Sequence, residues 1–239
     1  MIAGIMQPYF FPYIGYFDLI YRADTWVVFD IAQFKPRSWM SRNRMLHPAH
    51  GWQYIAVTLS GKSQNMNICD VTLCDPLADC EKIKRQLMHY KKKAPFYQNV
   101  IELLDKAFAE AKSEKLSDIN VSSLNVVCKY LGIEFQPIIA SERRFSIPAI
   151  EHPGQWALEI SAALGAETYI NPPNGRPIFR PEEFKSRGIH LAFTELFEWE
   201  YSCAIYTFEP HLSVLDVLMW NSPDAVINHL GKTELEFVA

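Results

Sequence analysis

The sequence predicts an α/β protein, with a mostly parallel, Rossmann-like sheet covered by helices and interrupted by a helical insertion. Three observations carry this. The chain opens on a short apolar run, Ile2–Met6, followed by a loop and a helix start. Its carboxyl half repeats one grammar: KYLGIEFQPIIA, SAALGAETYINP and KSRGIHLAFTEL each end a helix at glycine and enter an apolar run. Glycine closes a helix by taking positive φ, and buried strands joined through helices run parallel. Between these parts, residues 80–131 carry helical spacing only.

Taken in order, residues 25–29, 54–59 and 69–73 join the opening run as expected strands. They are short, β-branched or aromatic, and bounded by Gly, Pro or Asp. A helix start is expected at 17–21. Residues 80–90, 96–112 and 117–131 are expected helices, the second with Val100, Leu103, Leu104, Ala107, Phe108 and Ala111 at i, i+3, i+4 spacing. Pro95 separates the first two. The expected organisation is therefore a first part of the core over 1–79, a helical insertion over 80–131 and a second part of the core over 132–239.

With 239 residues, 49% of them hydrophobic, the chain has ample core and no run of about 18 apolar residues. No membrane insertion is expected. The amino terminus lacks the basic region and small-residue cleavage site of a signal peptide, and the five cysteines fit reduced thiols, so a cytoplasmic location is expected. Cys69 and Cys74 lack a CxxC partner, and His47 and His50 lack a third ligand, so no metal site is expected. No GxSxG, GxxxxGK or GxGxxG occurs, and the sequence names no cofactor.

Charge is distributed unevenly. Residues 31–69 contain no Asp or Glu but hold Lys35, Arg37, Arg42, Arg44 and Lys62. Over 31–93 eleven basic residues face four acidic ones, a net +7 in a chain whose net charge is −4. A patch of one sign on an acidic protein suggests an anionic ligand. The run Lys91–Lys93 reads as a solvated helix face. The Arg cluster reads differently, because it lies beside Trp39 and Asn43.

Two stretches carry the candidate chemistry. MQPYFFPYIGYFDLI, residues 6–20, packs two prolines, a glycine and six aromatic rings into the first loop. Its strand–loop–helix layout parallels that of nucleotidylyl transferases, with Phe11, Tyr13, Gly15 and Tyr16 around the position where that pattern holds two histidines. Gly15 would let backbone approach a phosphate. Tyr13 and Tyr16 can donate hydrogen bonds, but phenols stay neutral near pH 7, which speaks against nucleotidyl transfer. DIAQFKPRSWMSRNRM, residues 30–45, follows the second expected strand and so belongs at the ligand-facing edge of an open α/β sheet. Arg37, Arg42 and Arg44 suit phosphate or carboxylate, Trp39 offers a stacking face, and Gln33, Lys35, Ser38 and Asn43 add polar groups.

Together with WQYIAVTL, these stretches resemble the WbqC-like family. KYLGIEF, LGAETYINPPNG, FKSRGI and LSVLDVLM follow in the family's order, so the resemblance covers nearly the whole chain. Ser41 stands where the family has Asn, and Asn171-Pro172-Pro173-Asn174-Gly175 replaces its usual SG-x-G-like loop after the strand. The resemblance implies a role in O-antigen or other surface-polysaccharide biosynthesis, as a modifier of activated amino sugars by acyl or aminoacyl transfer.

The expected site follows. Arg37, Arg42, Arg44 and Lys35 would hold phosphate or carboxylate, and Trp39 or Tyr9 would stack on a ring. Phe11, Gly15 and Gln33 would line the pocket with Asn171 and Asn174, which follow another strand. Gln7, Asn43 and Ser38 would orient the reacting group, Tyr13 or Tyr16 would donate a proton, and His89 is the best-placed general-base candidate if its helix faces inward. Asn120 and Ser123 share one helical face. The substrates would be a nucleotide-linked amino sugar and an acyl or aminoacyl donor. Alternatives are a nucleotidyltransferase, a protein that binds RNA and uses aminoacyl-tRNA as donor, or a scaffold without catalysis.

Overall fold

The computed structural model describes residues 1–61 and 65–238, which leaves Lys62 of the basic segment outside the described residues. Its strands are β1 (Ile2–Met6), β2 (Thr25–Val28), β3 (Arg42–Leu46), β4 (Trp52–Ala56), β5 (Ile138–Ile139), β6 (Thr168–Asn171), β7 (His190–Thr194) and β8 (Leu235–Val238). The helices are α1 (Ile14–Arg22), α2 (Pro76–Gln86), α3 (Tyr97–Ala109), α4 (Leu116–Leu131), α5 (Ala140–Arg143), α6 (Gln155–Leu164), α7 (Pro181–Ser186), α8 (Val214–Trp220) and α9 (Pro223–Ile227).

Six strands form one sheet in the order β5-β2-β1-β6-β7-β8, with β8 antiparallel and the other neighbours parallel. The chain starts in the middle of the sheet, moves outward through β2 to β5, then returns to the other side of β1. That reversal makes the sheet Rossmann-like and puts its switch point between β1 and β6. Successive strand residues face opposite layers, as the two-residue period requires. Trp26, Val28, Ile170 and Ala192 join a core with α1, α2–α4, α8 and α9. Ile5, Val27, Tyr169, Leu191 and Phe193 join a second core with α6 and α7. Both faces are covered, which is why these strands are nearly continuous apolar runs.

The glycine junctions form as expected, with Gly132, Gly165 and Gly188 at φ 73°, 69° and 68°. Of the first run, however, only Ile138–Ile139 becomes a strand. Two other expectations are corrected. Residues 69–73 form no strand; Ile68–Asp70 is one 3₁₀ turn, and Thr72 and Leu73 make isolated bridges to Lys115 and Leu59. The expected strand over 54–59 begins earlier, at Trp52, and pairs antiparallel with β3 outside the main sheet. α2 also starts before its expected position, because Asp75 caps it by accepting from the Ala78 N–H at 2.9 Å, with Pro76 in the first turn. Among the described residues, no helix is long and apolar enough to cross a membrane.

Candidate functional site

A cleft of about 1080 Å³ opens beyond the carboxyl ends of β1, β2 and β6. Met6 and Gln7 line it after β1, Phe29 and Gln33 after β2, and Asn171 and Asn174 after β6. This is the switch-point crevice, where the loops leaving β1 and β6 diverge and leave room for a ligand.

The β3–β4 hairpin supplies a second wall. Alternation along β3 turns Asn43 and Met45 inward and puts Arg42 and Arg44 on the other face, opposite Ala56 and Tyr54. The Arg44 guanidinium lies 5.5 Å from the Trp39 ring centroid and 5.2 Å from that of Trp52. Its Nη2 donates to the carbonyl of His211 at 3.1 Å, while its buried Nε has no partner among the described residues. Arg44, Lys35, Trp39, Tyr9 and Tyr13 all line the cleft, and Glu151 is the one acidic residue lining it among those described. Among the described residues, neither Arg44 nor Lys35 meets a carboxylate there. Burial pushes the Tyr13 phenol up to about 12, with Tyr9 and Asp18 adding to it, and burial also raises Tyr9. Both phenols are protonated donors at neutral pH.

Several expected site residues lie elsewhere. Tyr16 is fully buried and donates its hydroxyl to the carbonyl of Gln7 at 2.9 Å, so it braces the loop instead of meeting substrate. Gly15 does not open backbone to a phosphate: a Cβ there would lie 2.4 Å from the Tyr13 ring, so the glycine makes room for that ring. Phe11 is fully buried at φ 39°. Its carbonyl accepts from Asn43 Nδ2 at 2.8 Å and Ser213 Oγ at 2.7 Å.

Asn43 lines the cleft, but its amide also donates to the Phe10 carbonyl at 3.1 Å, and its Oδ1 accepts from the Arg44 N–H. It clamps the aromatic loop and has no donor left for a reacting group. Arg42 stacks over Tyr54 at 4.0 Å outside the cleft. Arg37 is exposed at φ 57°, and Ser38 Oγ accepts from the Met40 N–H at 3.4 Å; neither lines the cleft.

His89 is also remote from the cleft. Its ring lies 4.2 Å from that of Tyr90, its Nδ1 bonds the Gln86 carbonyl at 2.9 Å, and its buried Nε2 has no partner among the described residues. Burial lowers its pKa. It packs beside a polar core in which Asp216, fully buried, accepts from Tyr90 and, at 2.7 Å, from Tyr201. Burial raises Asp216 from 3.8 to about 6, the tyrosine bonds opposing it. The folded chain therefore binds this proton more tightly than the unfolded chain. The resulting stabilisation is complete below about pH 4 and is lost as pH rises through 6, about 3 kcal/mol in all. Asp216→Asn lacks this ionisation and should gain on the wild type by that order between pH 4 and 7. Urea unfolding of both proteins across this range checks it; a constant gap would contradict it.

The cleft contains residues that sequence reasoning missed. EHPGQW places Glu151, His152, Pro153 and Trp156 on its wall, just before and at the start of α6. A Cβ on Gly154 would lie 2.1 Å from the Ile178 carbonyl oxygen, so glycine lets this turn seat directly on the 178–179 backbone. His152 Nε2 bonds Glu183 of α7 at 2.8 Å and 3.0 Å. The Pro-Gly pair was the available signal, since it marks a fixed turn beside a histidine.

The profile of the WbqC-like protein family matches residues 7–228. The chain belongs to this family. It is similar to the uncharacterized protein Rv1507c of Mycobacterium tuberculosis strain H37Rv, with 26% identity over 217 residues, covering 90% of this chain and 92% of that one. No solved structure matches it significantly. In this WbqC-like protein, the two motif stretches meet in space: Phe10 N–H donates to the Trp39 carbonyl at 2.9 Å, and Asn43 grips the Phe10 and Phe11 carbonyls. Gln7, Tyr9 and Tyr13 of the first stretch and Gln33, Lys35, Trp39, Asn43 and Arg44 of the second line one cleft with Asn171 and Asn174.

Proposed function

We propose that the cleft holds a nucleotide-linked amino sugar and that the protein transfers an acyl or aminoacyl group onto its amine, in surface-polysaccharide biosynthesis. The polysaccharide setting rests on the family resemblance. The observation that carries the ligand class is Arg44, held between Trp39 and Trp52 at a switch-point cleft, with no carboxylate against it among the described residues. Such a fork binds phosphate, and a flanking indole suits a base or sugar face. The volume lies at the upper end for small-molecule sites and suits two substrates together.

No Ser, Thr or Cys lines the cleft among the described residues, and burial pushes the thiols of Cys80 and Cys203 up to about 12. Direct attack of the sugar amine on an activated ester or thioester is therefore the favoured chemistry. The C–N bond forms as the bond from the carbonyl to its leaving group breaks. A protonated Tyr13 suits the developing oxyanion. Two observations bear on the alternatives. Tyr13 fills the space over Gly15, which speaks against a phosphate cradle of the nucleotidyltransferase kind. Trp39 and Trp52 are both 40% exposed beside the arginines, which favours an RNA-borne aminoacyl donor as a second reading; a steep salt dependence of tRNA binding would support it.

Mass spectrometry of reactions containing an amino-sugar nucleotide and candidate acyl or aminoacyl donors tests the proposal. An N-acylated nucleotide sugar is the expected product. Pyrophosphate release with a new nucleotide sugar made from a sugar phosphate would overturn it.

A further inference from the structure

We propose that His152, oriented by Glu183, is the proton acceptor of this cleft; the inference rests on the amine-acylation reading above. His152 lines the cleft, although its side chain is only 12% exposed. The turn carrying it is fixed: its carbonyl accepts from the Gln155 N–H at 3.1 Å, and Gly154 sits against Ile178. The Glu183 carboxylate accepts from Nε2 at 2.8 Å and 3.0 Å, and its Oε1 also accepts from Arg180 at 3.2 Å. A carboxylate accepts only, so Nε2 carries a hydrogen, and Nδ1 is the nitrogen left to take a proton in the proposed step. Nδ1 makes no hydrogen bond among the described residues. A fixed imidazole with one nitrogen held by a carboxylate and the other free is the arrangement a general base requires.

The amine enters neutral, having shed one proton to solvent. As the C–N bond forms, the nitrogen passes a second proton to Nδ1. The imidazolium, stabilised by Glu183, then gives that proton to the departing alkoxide or thiolate as its bond to the carbonyl breaks. His152 returns neutral, and no oxidant or reductant is needed. Glu183 is a positioning residue, since it does not line the cleft.

The test uses the full chain in two arms. In the first, protein labelled with ¹⁵N-histidine is examined by NMR, with the His152 signals assigned by their loss in His152→Gln. An Nε2–H tautomer whose Nδ1 resonance shifts on saturation with an amino-sugar nucleotide supports the proposal. A protonated Nδ1, or no shift at saturation, overturns it. In the second, His152→Ala should lower kcat about 100-fold or more with KM little changed, and added imidazole should restore part of it. Glu183→Gln, which keeps an acceptor for Nε2–H, should lower kcat about tenfold or more with KM unchanged. A dyad serving only to tie the turn to α7 would show no imidazole rescue, and that result would overturn the proposal. Absence of any acylated product from wild type would remove the acylation reading, while the NMR arm still decides whether His152 faces the ligand.

Discussion

Asn120→Ala lowers the unfolding free energy by about 3 kcal/mol, because it orphans two buried carbonyls at once. Asn120 is fully buried on α4, and its amide donates to the Pro8 and Met40 carbonyls, both at 2.9 Å. Pro8 belongs to the aromatic loop and Met40 to the segment before β3. One side chain thus bolts both cleft-forming stretches to the helical layer. A proline-rich loop cannot join a strand ladder, so its carbonyls need such partners. Asn43, Ser213 and Tyr16 serve the carbonyls of Phe10, Phe11 and Gln7 in the same way. Urea unfolding with an unchanged m-value is the check. A loss below about 1 kcal/mol would show that the loop relaxes to find water instead.

Arg44→Ala weakens binding of an amino-sugar nucleotide by about 10- to 100-fold, the value of a charge-assisted contact of about 1.5–3 kcal/mol. Truncation removes the guanidinium that lines the cleft and leaves Trp39 and Trp52 without the cation between them. Arg42→Ala should cost less, since Arg42 stacks on Tyr54 away from the cleft. Lys92→Ala, at an exposed position on the lysine run, should change the affinity by less than about 1 kcal/mol. Calorimetric titration of the three variants decides the ranking, and a larger effect at Lys92 than at Arg44 would refute the assignment.

The fold was legible where one physical requirement dominates. β1 and β6 are apolar because both faces are covered, and Gly132 and Gly165 stand where helices turn to positive φ. β3 was not legible. Arg-Asn-Arg reads as polar loop, and only pairing with Trp52, Tyr54 and Ala56 makes it a strand. The aromatic loop misled in part, because one motif performs two tasks. Tyr9 and Tyr13 face the cleft, whereas Phe11 and Tyr16 fill the core beneath it, and no period separates them in a loop. His89 and His152 show the same limit. The basic run made His89 conspicuous, yet tertiary packing holds it half-buried beside Tyr90 and away from the cleft, while His152 reaches the cleft from a turn more than a hundred residues after Arg44.

The most direct measurement is a crystal structure of the protein with an amino-sugar nucleotide. The ligand should occupy the crevice between the ends of β1 and β6, with a phosphate oxygen in hydrogen-bond reach of Arg44 and the sugar amine near His152. Ligand bound on another surface with this crevice empty, or phosphates seated at the start of α1 beside Tyr13, would contradict the account.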